Sequence, residues 1–94
     1  MRTQFSFLVD PDHGWLIVTL LDLEEVGLSE FDFTPFSYTN GGRIGLEQDQ
    51  DAVTFLEAYK SRFGGDPEIF DEVGSCRSWA PFGLRCRQLG GAHG

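Results

Sequence analysis

Ninety-four residues make room for one domain. Fifteen acids against seven bases give a net charge of −8, so the surface repels phosphate and direct binding of DNA or RNA is excluded. At 40% hydrophobic and 14% aromatic, with 9 Phe, the chain is too rich in core-forming side chains for an acidic disordered tail. No apolar run approaches the roughly 20 residues that a membrane-spanning helix needs.

Residues 3–9 alternate at Phe5, Phe7 and Val9, as a half-buried strand does. Asp10-Pro11-Asp12-His13-Gly14 is turn chemistry, and Trp15-Leu16-Ile17-Val18 follows as a second strand, so the two form a hairpin. Thr19 reads as the N-cap of a short helix with Asp22 three residues on, an apolar stripe of Leu20, Leu23 and Val26, and a stop at Gly27. Residues 28–35 are irregular, with Phe31 and Phe33 expected to reach the core. Phe36-Ser37-Tyr38-Thr39 and Arg43-Ile44-Gly45-Leu46 flank Asn40-Gly41-Gly42, where Asn-Gly between β-prone runs signals a tight hairpin whose turn residues need positive φ.

Residues 51–63 carry the clearest helical pattern. Ala52, Phe55, Leu56, Tyr59 and Phe63 share one apolar face, Asp51 is placed to cap the start, and Gly64-Gly65 ends the helix. Residues 68–73 read as a last strand. The expected fold is therefore α+β, a small antiparallel sheet of about five strands with two helices on one face, in the order β-β-α-β-β-α-β. Phe5, Phe7, Trp15, Phe55, Tyr59 and Phe63 are the expected core.

The charge divides the chain. Residues 1–72 hold all fifteen acids and four bases, a net −11, whereas residues 73–94 hold no acid and three bases, a net +3. An acidic domain, 1–73, is thus followed by a weakly basic, Gly-rich segment, 74–94, from which Trp79, Phe82 and Leu84 can lie against the body and whose end is expected to fray. Met1-Arg2-Thr3-Gln4 lacks the basic start and apolar stretch of a signal peptide, which points to the cytoplasm. In that compartment Cys76 and Cys86 are expected as free thiols, a bridge between them being the alternative.

Patterns with chemical content are few. Glu47, Asp49 and Asp51 alternate and offer oxygen ligands to a divalent cation, but the glycine and distal glutamate of a calcium loop are missing. The plainer reading has Asp49 and Asp51 favouring the start of the following helix, and no metal is expected. His13, His93, Cys76 and Cys86 lack the local spacing of a zinc site, and no phosphate-cradling glycine motif is present. Neither a cofactor nor an enzyme is expected.

What remains is the acid. Carboxylates projecting from a folded body can imitate the charge density of duplex DNA, about one charge per 1.7 Å, and so attract a basic nucleic-acid-binding protein. The candidates are Asp22, Glu24 and Glu25 around the first helix, Glu30 and Asp32 after it, Glu47, Asp49 and Asp51 before the second, Glu57 within it, and Asp71 and Glu72 in the last strand. Trp79 and Phe82, in the irregular C-terminal stretch, are the candidate exposed aromatic anchors.

His13-Gly14-Trp15-Leu16-Ile17-Val18, Leu20 to Gly27, Phe36-Ser37-Tyr38, Gly42, Leu46-Glu47-x-Asp49-x-Asp51 and Phe55-x-x-Ala58-Tyr59 together resemble a family of small acidic proteins encoded by phages, plasmids and integrated mobile elements. The likeness covers residues 9–73; in that family an aromatic commonly precedes the Leu-Glu-x-Asp-x-Asp run, where Gly45 stands here. The resemblance implies a mobile-element origin, and with it a non-catalytic, anti-CRISPR-like inhibitor whose acidic face blocks the DNA-binding surface of a Cas subunit in the cytoplasm of a bacterial host. An accessory adaptor of the mobile element, or an antirestriction protein, is the alternative. A monomer is expected, with no contact to nucleic acid or membrane.

Overall fold

A computed structural model describes residues 2–34 and 36–82. Six strands form one mixed sheet: β1 (Gln4–Val9), β2 (Gly14–Thr19), β3 (Ser37–Asn40), β4 (Arg43–Glu47), β5 (Glu68–Val73) and β6 (Ala80–Phe82), in the spatial order β5-β1-β2-β4-β3-β6. Two α-helices, α1 (Leu20–Glu25) and α2 (Asp51–Phe63), complete the α+β fold together with a short 3₁₀ turn at Glu30–Asp32.

All strand pairs are antiparallel except β1–β5, which run parallel from Gln4↔Glu68 to Val9↔Val73. The expected antiparallel α+β sheet is thus present, with this one parallel pair at its edge. The helix α2 carries the chain from β4 back over β2 and β1, so β5 enters the far edge in the direction of β4. The sixth strand, β6, was not legible in the sequence; its three residues pair with β3 from Ser37↔Phe82 to Thr39↔Ala80.

The centre of the sheet is β2, whose side chains are buried on both faces. Leu16 and Val18 face the helices and join one core with Phe5, Ile44, Leu46, Leu23, Phe33, Phe55 and Tyr59. Trp15 and Ile17 face the other way and pack with Cys76 in a second cluster, flanked by Leu8, Tyr38 and Trp79. Both helices therefore cover one face, while the residues after β5 cover part of the opposite one. Close fit there depends on Gly45: a methyl group on it would come within 2.5 Å of the Cys76 sulfur and 3.3 Å of Trp15 Cβ.

Local chemistry fixes the elements. Thr19 caps α1 by accepting from the Asp22 N–H at 3.2 Å, while the Asp22 carboxylate accepts from the Thr19 N–H at 2.8 Å, a reciprocal capping box. The β3–β4 turn consists of Gly41 and Gly42, both at positive φ, with Asn40 paired to Arg43 as the last strand residue. The two turn positions are thus shifted by one from the Asn-Gly reading, because Gly-Gly satisfies the mirror-image turn without placing a side chain in the left-handed region. Gly64, also left-handed, ends α2 with its N–H on the Lys60 carbonyl.

Three apolar assignments change. Leu20, Phe31 and Phe63 are exposed, Phe31 by 74%. Both Phe31 and Phe33 are expected in the core, but the 3₁₀ turn, capped by Ser29 and Asp32, leaves Phe31 at the surface and only Phe33 fully buried.

Candidate functional site

The acidic residues fall into two populations. Asp22, Glu47 and Asp51 are buried, at 2%, 8% and 1% exposure, and are corrected as surface carboxylates. Each is held by donors from the fold itself. Asp22 takes Arg2 and the Thr19 N–H; desolvation opposes its charge, but these partners outweigh it and hold its carboxyl below the usual range. Asp51 accepts from the Thr34 N–H at 3.0 Å, the Thr34 hydroxyl at 2.7 Å and the Ser37 hydroxyl. It is not the helix cap either: Gln50 is the N-cap and makes no side-chain bond, while Asp51 in the first turn ties α2 to the segment before β3. Ser37 relays this tie by accepting from the Glu47 N–H at 3.0 Å.

Glu24, Asp32, Asp49, Glu57, Asp71 and Glu72 are exposed, and Glu25 and Glu30 half-buried. They are distributed over α1, the 3₁₀ turn, the β4–α2 loop, α2 and β5. Of the aromatic anchors, Phe82 is buried at 4% against Phe33 and is corrected: β6 draws it into the helix-side core. Trp79 is half-buried beside the second cluster with the Arg43 guanidinium over its ring at 5.1 Å. Leu84, Cys86, His93 and the basic end of the chain lie outside the described residues.

On the face opposite the helices a cleft of about 290 Å³ opens beside β2 and β3. Trp15 lies at its base, with the His13 ring stacked at 5.9 Å and 20° on one side and Tyr38 edge-on at 6.3 Å on another. Phe36, 62% exposed, forms a wall. Glu47, Asp49 and Gln50, from the end of β4 and the β4–α2 loop, and Arg77 complete the lining. Both Glu47 oxygens accept from the Asp49 N–H at 3.1 Å, which fixes the carboxylate.

Arg77 is anchored rather than free. Its Nε donates to Asp10 at 2.9 Å, its Nη2 lies 3.7 Å from Asp12, and Nη2 donates to His13 Nδ1 at 2.6 Å. A guanidinium only donates, so Nδ1 accepts and the ring proton sits on Nε2. Desolvation works against the Asp10 charge, yet Arg77, the Asp12 and His13 N–H groups and Ser75 outweigh it and hold its carboxyl far below the usual carboxylate range. The Asp10 hydrogen bond in turn raises Arg77. Beneath, burial pushes the Cys76 thiol up to about 12, Arg43 opposing and Asp10 adding to the rise. Cys76 is a free, unreactive, packing thiol.

The Glu47-Asp49-Asp51 alternation does not converge: Asp51 points to Thr34 and Ser37, Glu47 to the loop backbone. Among the described residues no group of three His, Cys, Asp or Glu side chains stands close enough to hold a metal ion. Among them, too, no helix is long and apolar enough to cross a membrane.

Sequence reading treated His13 as a turn residue and overlooked Phe36, Tyr38, Gln50 and Arg77 as a group. The signal for most of them lay in three stretches, 13–15, 36–38 and 46–51, which are far apart in sequence and meet at this cleft. Arg77 had none, being 64 residues from His13. Comparison with family models, curated proteins and solved structures finds no match for the chain.

Proposed function

We propose that this protein is a non-catalytic, anti-CRISPR-like inhibitor of mobile-element origin, which lays exposed carboxylates on the basic, DNA-binding surface of a Cas subunit. The observation that carries the reading is the imbalance of charge left at the surface after the buried acids are set aside. Glu24, Glu57, Glu68, Asp71 and Glu72 on the elements, with Asp32, Asp49 and Asp66 in the turns and loops, are exposed. Of the five described bases, Arg2 and Arg77 are committed to Asp22, Asp10 and Asp12. Such a surface attracts a cationic groove and repels nucleic acid.

Carboxylates of this kind act mainly on association rate and register, each exposed pair contributing only about 0–1 kcal/mol. They compete with phosphates for the same lysines and arginines, so inhibitor and DNA exclude one another. The test is binding of the purified chain to a CRISPR effector across ionic strength, with and without target DNA. Affinity that falls steeply with salt and is lost to DNA competition supports the reading. Salt-insensitive binding that leaves DNA bound contradicts it.

A further inference from the structure

We infer that the cleft beside Trp15 is a receptor for a single arginine side chain of the protein partner. This rests on the reading that the partner is basic, and it names the point at which that partner is gripped. A cleft of about 290 Å³ sits at the bottom of the range of small-molecule sites, about 300–1,000 Å³, and suits one long side chain better than a stretch of polypeptide.

Its lining has the two features that a guanidinium requires. The first is an aromatic surface: Phe36, 62% exposed, offers an open ring, with half-buried Tyr38 near it, over a floor formed by the buried Trp15, whose own ring is already covered by His13 and Arg77. The same face of the sheet already uses its aromatics in this way, with Arg43 over Trp79 at 5.1 Å and Arg77 over Trp15 at 6.0 Å. The second is negative charge. Glu47 is pinned by the Asp49 N–H on both oxygens, which leaves further lone pairs on a carboxylate that cannot swing away. Asp49 stands exposed beside it.

Arg77 does not turn the cleft into an anion site. Its charge is met by Asp10 and Asp12, and one of its remaining donors is spent on His13. The charged groups lining the cleft are therefore two carboxylates, Glu47 and Asp49, and one guanidinium whose charge is already met, which disfavours an anionic ligand. Arginine is preferred to lysine because its planar head stacks on a ring and pairs with a carboxylate at once.

The experiment uses the whole chain and a neutral-backbone probe, acetyl-Gly-Arg-Gly-amide, read by amide and indole chemical shifts. The expected result is saturable shifts centred on His13, Trp15, Tyr38 and Asp49, absent with acetyl-Gly-Gly-Gly-amide and with butyrate. Phe36→Ala and Asp49→Asn, both at exposed positions, each weaken the probe about three- to fivefold. No saturable shift at the cleft, equal shifts from the neutral peptide, or binding of butyrate overturns the inference. The two readings separate cleanly. If the probe misses the cleft while an effector still binds with steep salt dependence, the cleft inference fails alone. If the probe fills the cleft but effector binding ignores salt and DNA, the inhibitor reading fails alone.

Discussion

Replacing Asp51 by alanine removes an acceptor that three donors share. The Thr34 N–H is fixed by the backbone and is left without a partner, while the Thr34 and Ser37 hydroxyls lose theirs. Orphaning this part-buried N–H costs about 1–3 kcal/mol, and each of the two hydroxyl bonds adds about 0.5–1.5 kcal/mol, so the loss is about 2–6 kcal/mol. A domain of this size has about 5–14 kcal/mol in all. Asp51→Asn keeps the shape and one acceptor oxygen but turns an amide toward the donors, and it costs about half as much. Asp49→Ala, two residues away and exposed, is the control for removing one negative charge and stays within about 0.5 kcal/mol of the parent. Urea denaturation followed by far-ultraviolet circular dichroism gives all three values. If Asp51→Ala is as mild as Asp49→Ala, the tie between α2 and the segment before β3 is not what Asp51 provides.

Gly45→Ala forces its methyl group into the Cys76 sulfur and costs about 1–3 kcal/mol; adding Cys76→Ala recovers more than half, whereas simple additivity in the double variant refutes the close contact. Asp22 has its folded pKa below the ordinary 3.8, so the stability it contributes is complete above that value and is lost as pH falls through the folded pKa. Asp22→Asn flattens this acid limb in urea midpoints, and an unchanged slope contradicts the assignment. Cys76 is shifted the other way, from 9.0 to about 12, so its contribution is complete below 9.0 and is lost as pH rises toward 12. Cys76→Ala removes that part of the alkaline fall in melting temperature, and an identical fall in the variant rules it out.

Much of the fold was readable because its signals are local. The i, i+3, i+4, i+7 pattern from Ala52 to Phe63 delimits α2 to the residue, and Thr19-x-x-Asp22 marks α1 by a motif four residues long. The same motif identified Asp22 as a capping carboxylate, yet counting acids placed it on a binding face. Asp51 likewise reads as a residue at the start of α2, but its actual partners, Thr34 and Ser37, lie 17 and 14 residues upstream, beyond any local motif. A carboxylate reads alike in sequence whether it faces solvent or a buried N–H. The parallel pairing of β1 with β5 and the return of β6 to β3 depend on register across more than 40 residues, which periodicity does not carry. The cleft was hidden for the same reason: His13, Tyr38, Asp49 and Arg77 become neighbours only once the sheet is formed.

The most direct measurement is the equilibrium binding of the intact chain to a purified CRISPR effector by isothermal calorimetry, from about 50 to about 500 mM salt, with and without saturating target DNA. The expected result is an affinity that falls by orders of magnitude across that range and disappears when DNA occupies the effector. Binding that is flat in salt, or that persists on the DNA-loaded effector, contradicts carboxylate-for-phosphate substitution as the basis of function.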